Sequence, residues 1–180
     1  MTVVTRESKE TQIRIAITAG TGQAAVSTTE PFLDHMLVAF ARYAGVDLEV
    51  QATGDLRHHL IEDVAITLGQ ALASFAPAGC ARYGDRTIPM DDALVQVVLD
   101  LGGRPYYRGP LPSSLYDHVM RSLADNARMT LHVRVLRGTD RHHIIEAAFK
   151  ALGLALRDAL AETGAVFSTK GAVRLDITAE

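Results

Sequence analysis

The segment Arg57-His58-His59-Leu60-Ile61-Glu62 recurs almost unchanged as Arg141-His142-His143-Ile144-Ile145-Glu146. On a helix, His58 and Glu62, like His142 and Glu146, are four residues apart, so an imidazole and a carboxylate share one face about one turn apart. That is how a pair of metal ligands is commonly presented. The adjacent His59 and His143 project roughly 100° further round the helix, too far to join the same small coordination sphere, so each helix start would feed two sites. A single such motif reads most simply as a polar helix start with solvated histidines. Its repetition weakens that reading.

The seven histidines, His35, His58, His59, His118, His132, His142 and His143, all lie in or beside the repeated segments. Six of them, with Glu62 and Glu146, would make two sites of three imidazoles and one carboxylate each, with positions left open for a substrate. Nitrogen and oxygen ligands with open positions suit Mn(II), Fe(II) or Zn(II), and a preference for octahedral geometry favours the first two. Cys80 is the only cysteine. Neither an internal disulfide nor a thiolate cluster is expected, and any metal must be held by nitrogen and oxygen.

These ligands need elements to hold them. Alternating Ile13, Ile15 and Ile17 mark a strand over Thr11–Thr18, and Val3–Thr5 a shorter one before it. Pro31 opens a helix whose apolar stripe, Phe32, Leu33, Met36, Leu37 and Phe40, runs to about Tyr43. A strand through Val46, Leu48 and Val50 follows, then a long helix from His58 to Phe75, closed by Pro77 and Gly79. The second half replays the first. Asp34-His35 matches Asp117-His118 at a spacing of 83 residues, Leu48 and Val50 match Leu131 and Val133 at the same spacing, and His58 and Glu62 match His142 and Glu146 at 84. The expected elements are strands over Ala93–Asp100, Arg104–Arg108 and Met129–Leu136, and helices over Ser114–Asn126 and Arg141–Glu162. Each half is then a small sheet packed with two helices, an α+β architecture with a pseudo-twofold axis. One domain of two pseudo-repeats, about 1–79 and 80–180, is expected. The pseudo-twofold would either bring the two helix starts together or present both at a subunit interface.

The 180 residues are 48% hydrophobic, enough for a substantial core, and the net charge of -3 with no dense Lys/Arg run argues against a nucleic-acid surface. No window approaches a membrane span, and the first residues lack the regions of a signal peptide. A cytoplasmic protein is expected.

The motifs Phe32-Leu33-Asp34-His35-Met36-Leu37, Gly54-Asp55-Leu56 with His58-His59-Leu60-Ile61-Glu62-Asp63, Pro89-Met90-Asp91-Asp92-Ala93-Leu94, Gly103-Arg104-Pro105-Tyr106, Thr130-Leu131-His132, His142-His143-Ile144-Ile145-Glu146-Ala147 with Phe149-Lys150-Ala151, and Ser168-Thr169-Lys170-Gly171 occur in that order. Together they resemble the imidazoleglycerol-phosphate dehydratase family over nearly the whole chain. The resemblance implies a metal-dependent lyase that dehydrates imidazoleglycerol phosphate to imidazole acetol phosphate in histidine biosynthesis. It also implies a duplicated half-domain like the second domain of ribosomal protein S5, two Mn(II) per active site, and a 24-mer with sites between subunits.

By the same resemblance the metal ligands are His35, His58, His59, Glu62, His132, His142, His143 and Glu146. His118 is left over as a surface or packing histidine, although it repeats His35. The phosphate contacts are Arg82, Arg104, Ser168, Thr169 and Lys170, where paired guanidinium hydrogen bonds suit a phosphate. Lys150, four residues beyond Glu146 on the same helical face, is expected either to reach the substrate or to pair with that carboxylate. Glu10 is the general acid/base. Its bland alternative is a solvated strand residue. This chain departs from the commoner family pattern in having only Leu56-Arg57 between Asp55 and His58, in place of a longer acidic approach, and Phe167 where a proline is usual. Two rival functions use the same residues. A metal-binding module without catalysis would take up metal without turnover, and a metal-dependent hydrolase would release inorganic phosphate. No Gly-x-Ser-x-Gly elbow supports a serine hydrolase.

Overall fold

The structure is a computed structural model of the chain, described here for residues 1–102 and 104–164. The first half runs β1 (Thr2–Glu7), β2 (Thr11–Ala19), β3 (Ala24–Ser27), α1 (Pro31–Ala44), β4 (Val46–Gly54) and α2 (Arg57–Phe75). The second runs β5 (Tyr83–Met90), β6 (Ala93–Asp100), β7 (Tyr106–Arg108), α3 (Ser114–Asn126), β8 (Thr130–Arg137) and α4 (Arg141–Ala159). Two four-stranded sheets result, ordered β1-β2-β4-β3 and β5-β6-β8-β7. In each, the third strand in sequence pairs parallel to the fourth, and the other pairs are antiparallel. The expected α+β duplication is present, with β3 and β5 as additional strands.

The helices of the two halves pack on each other crosswise. α1 lies against α4, and α2 against α3, while α2 also covers β1 and β2 and α4 covers β5 and β6. One apolar core runs through both halves, from Ile13, Ile15 and Ile17 through Phe40 and Leu72 to Val97, Leu131 and Phe149. Two repeat-related glycines permit the crossings. A Cβ at Gly69 would lie 2.8 Å from the Leu123 carbonyl oxygen, and one at Gly153 would lie 2.8 Å from that of Phe40. Such distances are too short for any side chain, so these positions require glycine for close approach rather than for an unusual φ.

α4 ends at Ala159, three residues before the expected end at Glu162. The chain turns there because Thr163 N donates to Gly79 O at 3.0 Å and Glu162 bridges to Cys80, which ties this segment back to the link between the halves. No described helix is long and apolar enough to cross a membrane.

Candidate metal centres and active site

The crosswise packing decides which histidines meet. Because α1 faces α4, His35 from α1 reaches the start of α4. Its Nε2 lies 3.5 Å from Glu146 Oε2, and His142 Nε2 lies 3.1 Å from the same oxygen. Ligand atoms of His35, His142 and Glu146 all fall within 4.8 Å of one another. Because α3 faces α2, a repeat-related but looser group forms there. His118 Nε2 is 3.0 Å from Glu62 Oε1, His58 Nε2 is 3.5 Å from Glu62 Oε2, and the two rings stack at 14° with centroids 6.0 Å apart. The helix starts therefore meet partners from the opposite half rather than each other.

The Asp-His dipeptides explain how the lone histidines are aimed. Asp34 accepts from Thr28 N at 2.9 Å, fixing the loop before α1 to its first turn. Its counterpart Asp117 accepts from Leu111 N at 2.9 Å and from the Tyr107 hydroxyl at 2.6 Å. In each half the aspartate anchors the helix start and the next residue, His35 or His118, is left to face the glutamate. Asp140 caps α4, accepting from His142 N at 2.7 Å, whereas Leu56, the residue before α2, provides no side-chain cap.

His118 was expected to be a surface or packing histidine, and its contact with Glu62 corrects that expectation. The repeat spacing of 83 residues to His35 was the signal for it. His132 behaves differently. Leu131 and Val133 on β8 are buried under the helices, so strand alternation turns His132 to the outer face of the sheet. There its ring lies 5.5 Å from that of Tyr106. Within the subunit it joins neither cluster, and its repeat partner Glu49 sits on the other sheet's outer face, paired with Arg14 at 3.4 Å.

His59 and His143 face away from the clusters, as their helical offset requires. His59 Nδ1 is 3.0 Å from Asp55 Oδ1 and 3.7 Å from Glu10 Oε2. His143 Nδ1 is 2.8 Å from Asp92 Oδ1, and its Nε2 is 3.4 Å from Asp91 Oδ2. The hydrogen bonds to Asp55 and Asp92 raise the pKa of both imidazoles above the ordinary value. In the reverse direction, His59 holds the Asp55 carboxyl below the usual range, and the Thr139 N–H followed by His143 does so for Asp92.

Glu10 is 56% exposed and stands on the β1–β2 turn. That turn is fastened to α2 by the buried Asp63, which accepts from the Thr11 hydroxyl at 2.6 Å and pairs with Arg6 at 3.0 Å. Lys150 Nζ lies 2.8 Å from Glu146 Oε1 and 5.8 Å from the Tyr43 ring centroid, beside the His35 cluster. Burial alone would raise the Glu146 carboxyl, but Lys150 and then His35 outweigh it and hold it low. At the repeat position, 84 residues earlier, stands Ile66. Arg82 is held by both oxygens of Asp100 and by the Leu101 carbonyl, on the wall of a 420 Å³ cleft that it shares with Cys80 and Arg128. No histidine of either cluster lines that cleft. Arg104 is exposed, with its carbonyl accepting from the Thr130 hydroxyl. Ser168, Thr169 and Lys170 lie outside the described residues.

The donor set of His35, His142 and Glu146, two imidazole nitrogens and one carboxylate within 4.8 Å of one another, is that of a divalent-cation site with open positions, and His58, His118 and Glu62 offer the same donor types in a looser group. Comparison with known proteins gives this geometry a context. The family described as Imidazoleglycerol-phosphate dehydratase matches over residues 28–156. An imidazoleglycerol-phosphate dehydratase of Desulforudis audaxviator is 46% identical, with 94% of this chain and 96% of that protein covered. The crystal structure of the Pyrococcus furiosus protein in complex with (S)-C348 superposes with a TM-score of 0.86 at 44% identity, covering 94% of this chain and 100% of that one. The Staphylococcus aureus dehydratase structure gives 0.80 at 35% identity, covering 90% and 99%. With duplicated halves, matching motifs and near full-length similarity, the chain belongs to the imidazoleglycerol-phosphate dehydratase family of hydro-lyases in histidine biosynthesis.

Proposed function

We propose that the protein dehydrates imidazoleglycerol phosphate to imidazole acetol phosphate, using two Mn(II) per active site. The observation that carries this reading is the His35/His142/Glu146 cluster, whose ligand atoms lie within 4.8 Å of one another, with its repeat-related counterpart His58/His118/Glu62 around a second carboxylate. In this ligand set His118 takes the place first expected for His132. His59 and His143, which face outward, complete the sites of neighbouring subunits in a 24-mer. No histidine of either cluster lines the Arg82 cleft, which agrees with sites that draw on more than one copy.

A divalent ion bound here supplies Lewis-acid polarisation of the substrate's imidazole, which makes the adjacent C–H more acidic. The protein's own residues do the rest. Glu10 moves the proton as general acid/base. Arg82, Arg104, Ser168, Thr169 and Lys170 hold the phosphate, the arginines by paired hydrogen bonds. Lys150 holds the substrate beside Glu146. The two halves, about 1–79 and 80–180, act as one domain in the cytoplasm.

The test is turnover of imidazoleglycerol phosphate by chelated protein before and after addition of Mn(II), following imidazole acetol phosphate. Activity restored by the metal is the expected result. Metal uptake by folded protein without turnover, or release of inorganic phosphate instead of dehydration, overturns the reading.

A further inference from the structure

His59 and His143 receive the same contact on the same ring atom, a carboxylate oxygen at Nδ1, at 3.0 and 2.8 Å. The two carboxylates are not repeat-related. Asp55 lies in the link between β4 and α2, four residues before His59, whereas Asp92 lies on the β5–β6 turn, 51 residues before His143. The first-half counterpart of Asp92, just before the second strand of its sheet, is Glu10. The second-half counterpart of Asp55, 84 residues on, is Thr139, whose N–H and hydroxyl donate to Asp92 at 2.7 and 3.1 Å. One contact has thus been built from two different places.

A contact kept while its source changes answers a need at the imidazole. A carboxylate at Nδ1 makes that nitrogen the N–H, turns the Nε2 lone pair outward and fixes the ring plane. On the reading that His59 and His143 ligate metal, we infer that Asp55 and Asp92 are their positioning residues, and that Asp55 thereby leaves Glu10 uncommitted for proton transfer. Asp92 is fully engaged, accepting from Thr139, Asp140 and His143. Glu10, its counterpart, stands 3.7 Å from His59 Nδ1, outside hydrogen-bond reach. The short approach to His58 retains the one acidic residue, Asp55, that this arrangement needs.

The experiment measures Mn(II) affinity of the intact assembly, from the spectrum of the free ion, for the natural chain, Asp55→Ala, His59→Ala and the double variant. Thermal midpoints of the chelated proteins are recorded alongside. Asp55→Ala should weaken affinity by about 10–100-fold, the range for partners that orient a ligand, and should add nothing once His59 is alanine. Asp92→Ala should show the same dependence on His143. A purely structural role would cost affinity in both backgrounds, and that additive result overturns the inference. So does an unchanged affinity of Asp55→Ala where His59→Ala is impaired. An unchanged affinity of His59→Ala instead overturns the ligand reading, and the inference with it.

Discussion

His118 and His132 differ in what their backbones allow them to face. His118 leaves a helix that packs on α2 and meets the Glu62 carboxylate, whereas His132 leaves a strand on the side away from every helix. His118→Ala should therefore lose bound Mn(II) and activity, while His132→Ala keeps its metal content, as measured on dialysed protein. Equal metal loss in both would reject the ligand set. Glu10→Gln should keep its metal and lose about 10²–10⁴-fold in turnover; full turnover would remove Glu10 from the chemistry. Chelated protein carries a pH signature as well. Histidines with raised folded-state pKa contribute stability that is complete below the unfolded value, about 6.5, and is lost as the pH rises through the folded value. His59 and His143 are of this kind. The thermal midpoint in chelator should therefore fall modestly from pH 6 to 8, and Asp92→Ala should flatten that fall. The effect is small because the pairs are exposed. The repeat made most of the clustered histidines legible, His118 included, since it stands at His35's place. That His118 meets Glu62 follows from the packing of α3 on α2, which no local pattern shows.

At the scale of elements, the helices and central strands were legible because their apolar periodicity is strong. β3 and β5 were not. β3 is four small residues, Ala24 to Ser27, too short to establish a period. β5 contains Gly84 and Pro89 and exposes Tyr83, Asp85, Arg86 and Thr87, which reads as a loop until pairing with β6 is known. Its proline is tolerated at the sheet edge, and Gly84 is required because a Cβ there would run into the Ala155 carbonyl of α4. The helix crossings make a sharper demand. Gly153→Ala should destabilise the fold by about 1–3 kcal/mol, because the obstructing atom is the Phe40 backbone oxygen, which has no rotamer to yield. Urea unfolding measures this. No loss of stability would mean that α1 and α4 sit further apart than described. Since His35 rides on α1, the same variant should also weaken metal binding.

For the whole molecule, the separation of the Arg82 cleft from both clusters predicts complementation. Arg82→Ala and His142→Ala chains should each be inactive alone, yet regain measurable dehydration when co-expressed and purified as mixed assemblies. Mixed assemblies as inactive as their parents would place each site within a single chain. A net charge of -3 with no dense Lys/Arg run argues against a nucleic-acid surface and is compatible with a small acidic substrate.

The crosswise packing has a historical consequence. Neither half alone owns a complete cluster, for His35 lies in one and Glu146 in the other, and likewise Glu62 and His118. An ancestor of half the length, pairing with itself in the same crossed manner, would have held two identical sets of ligands, each split between its two copies. In the single chain the two halves differ: Lys150 stands beside one carboxylate where the repeat position holds Ile66. A symmetric pair of chains can change its two centres only together; a fused one can give them different tasks.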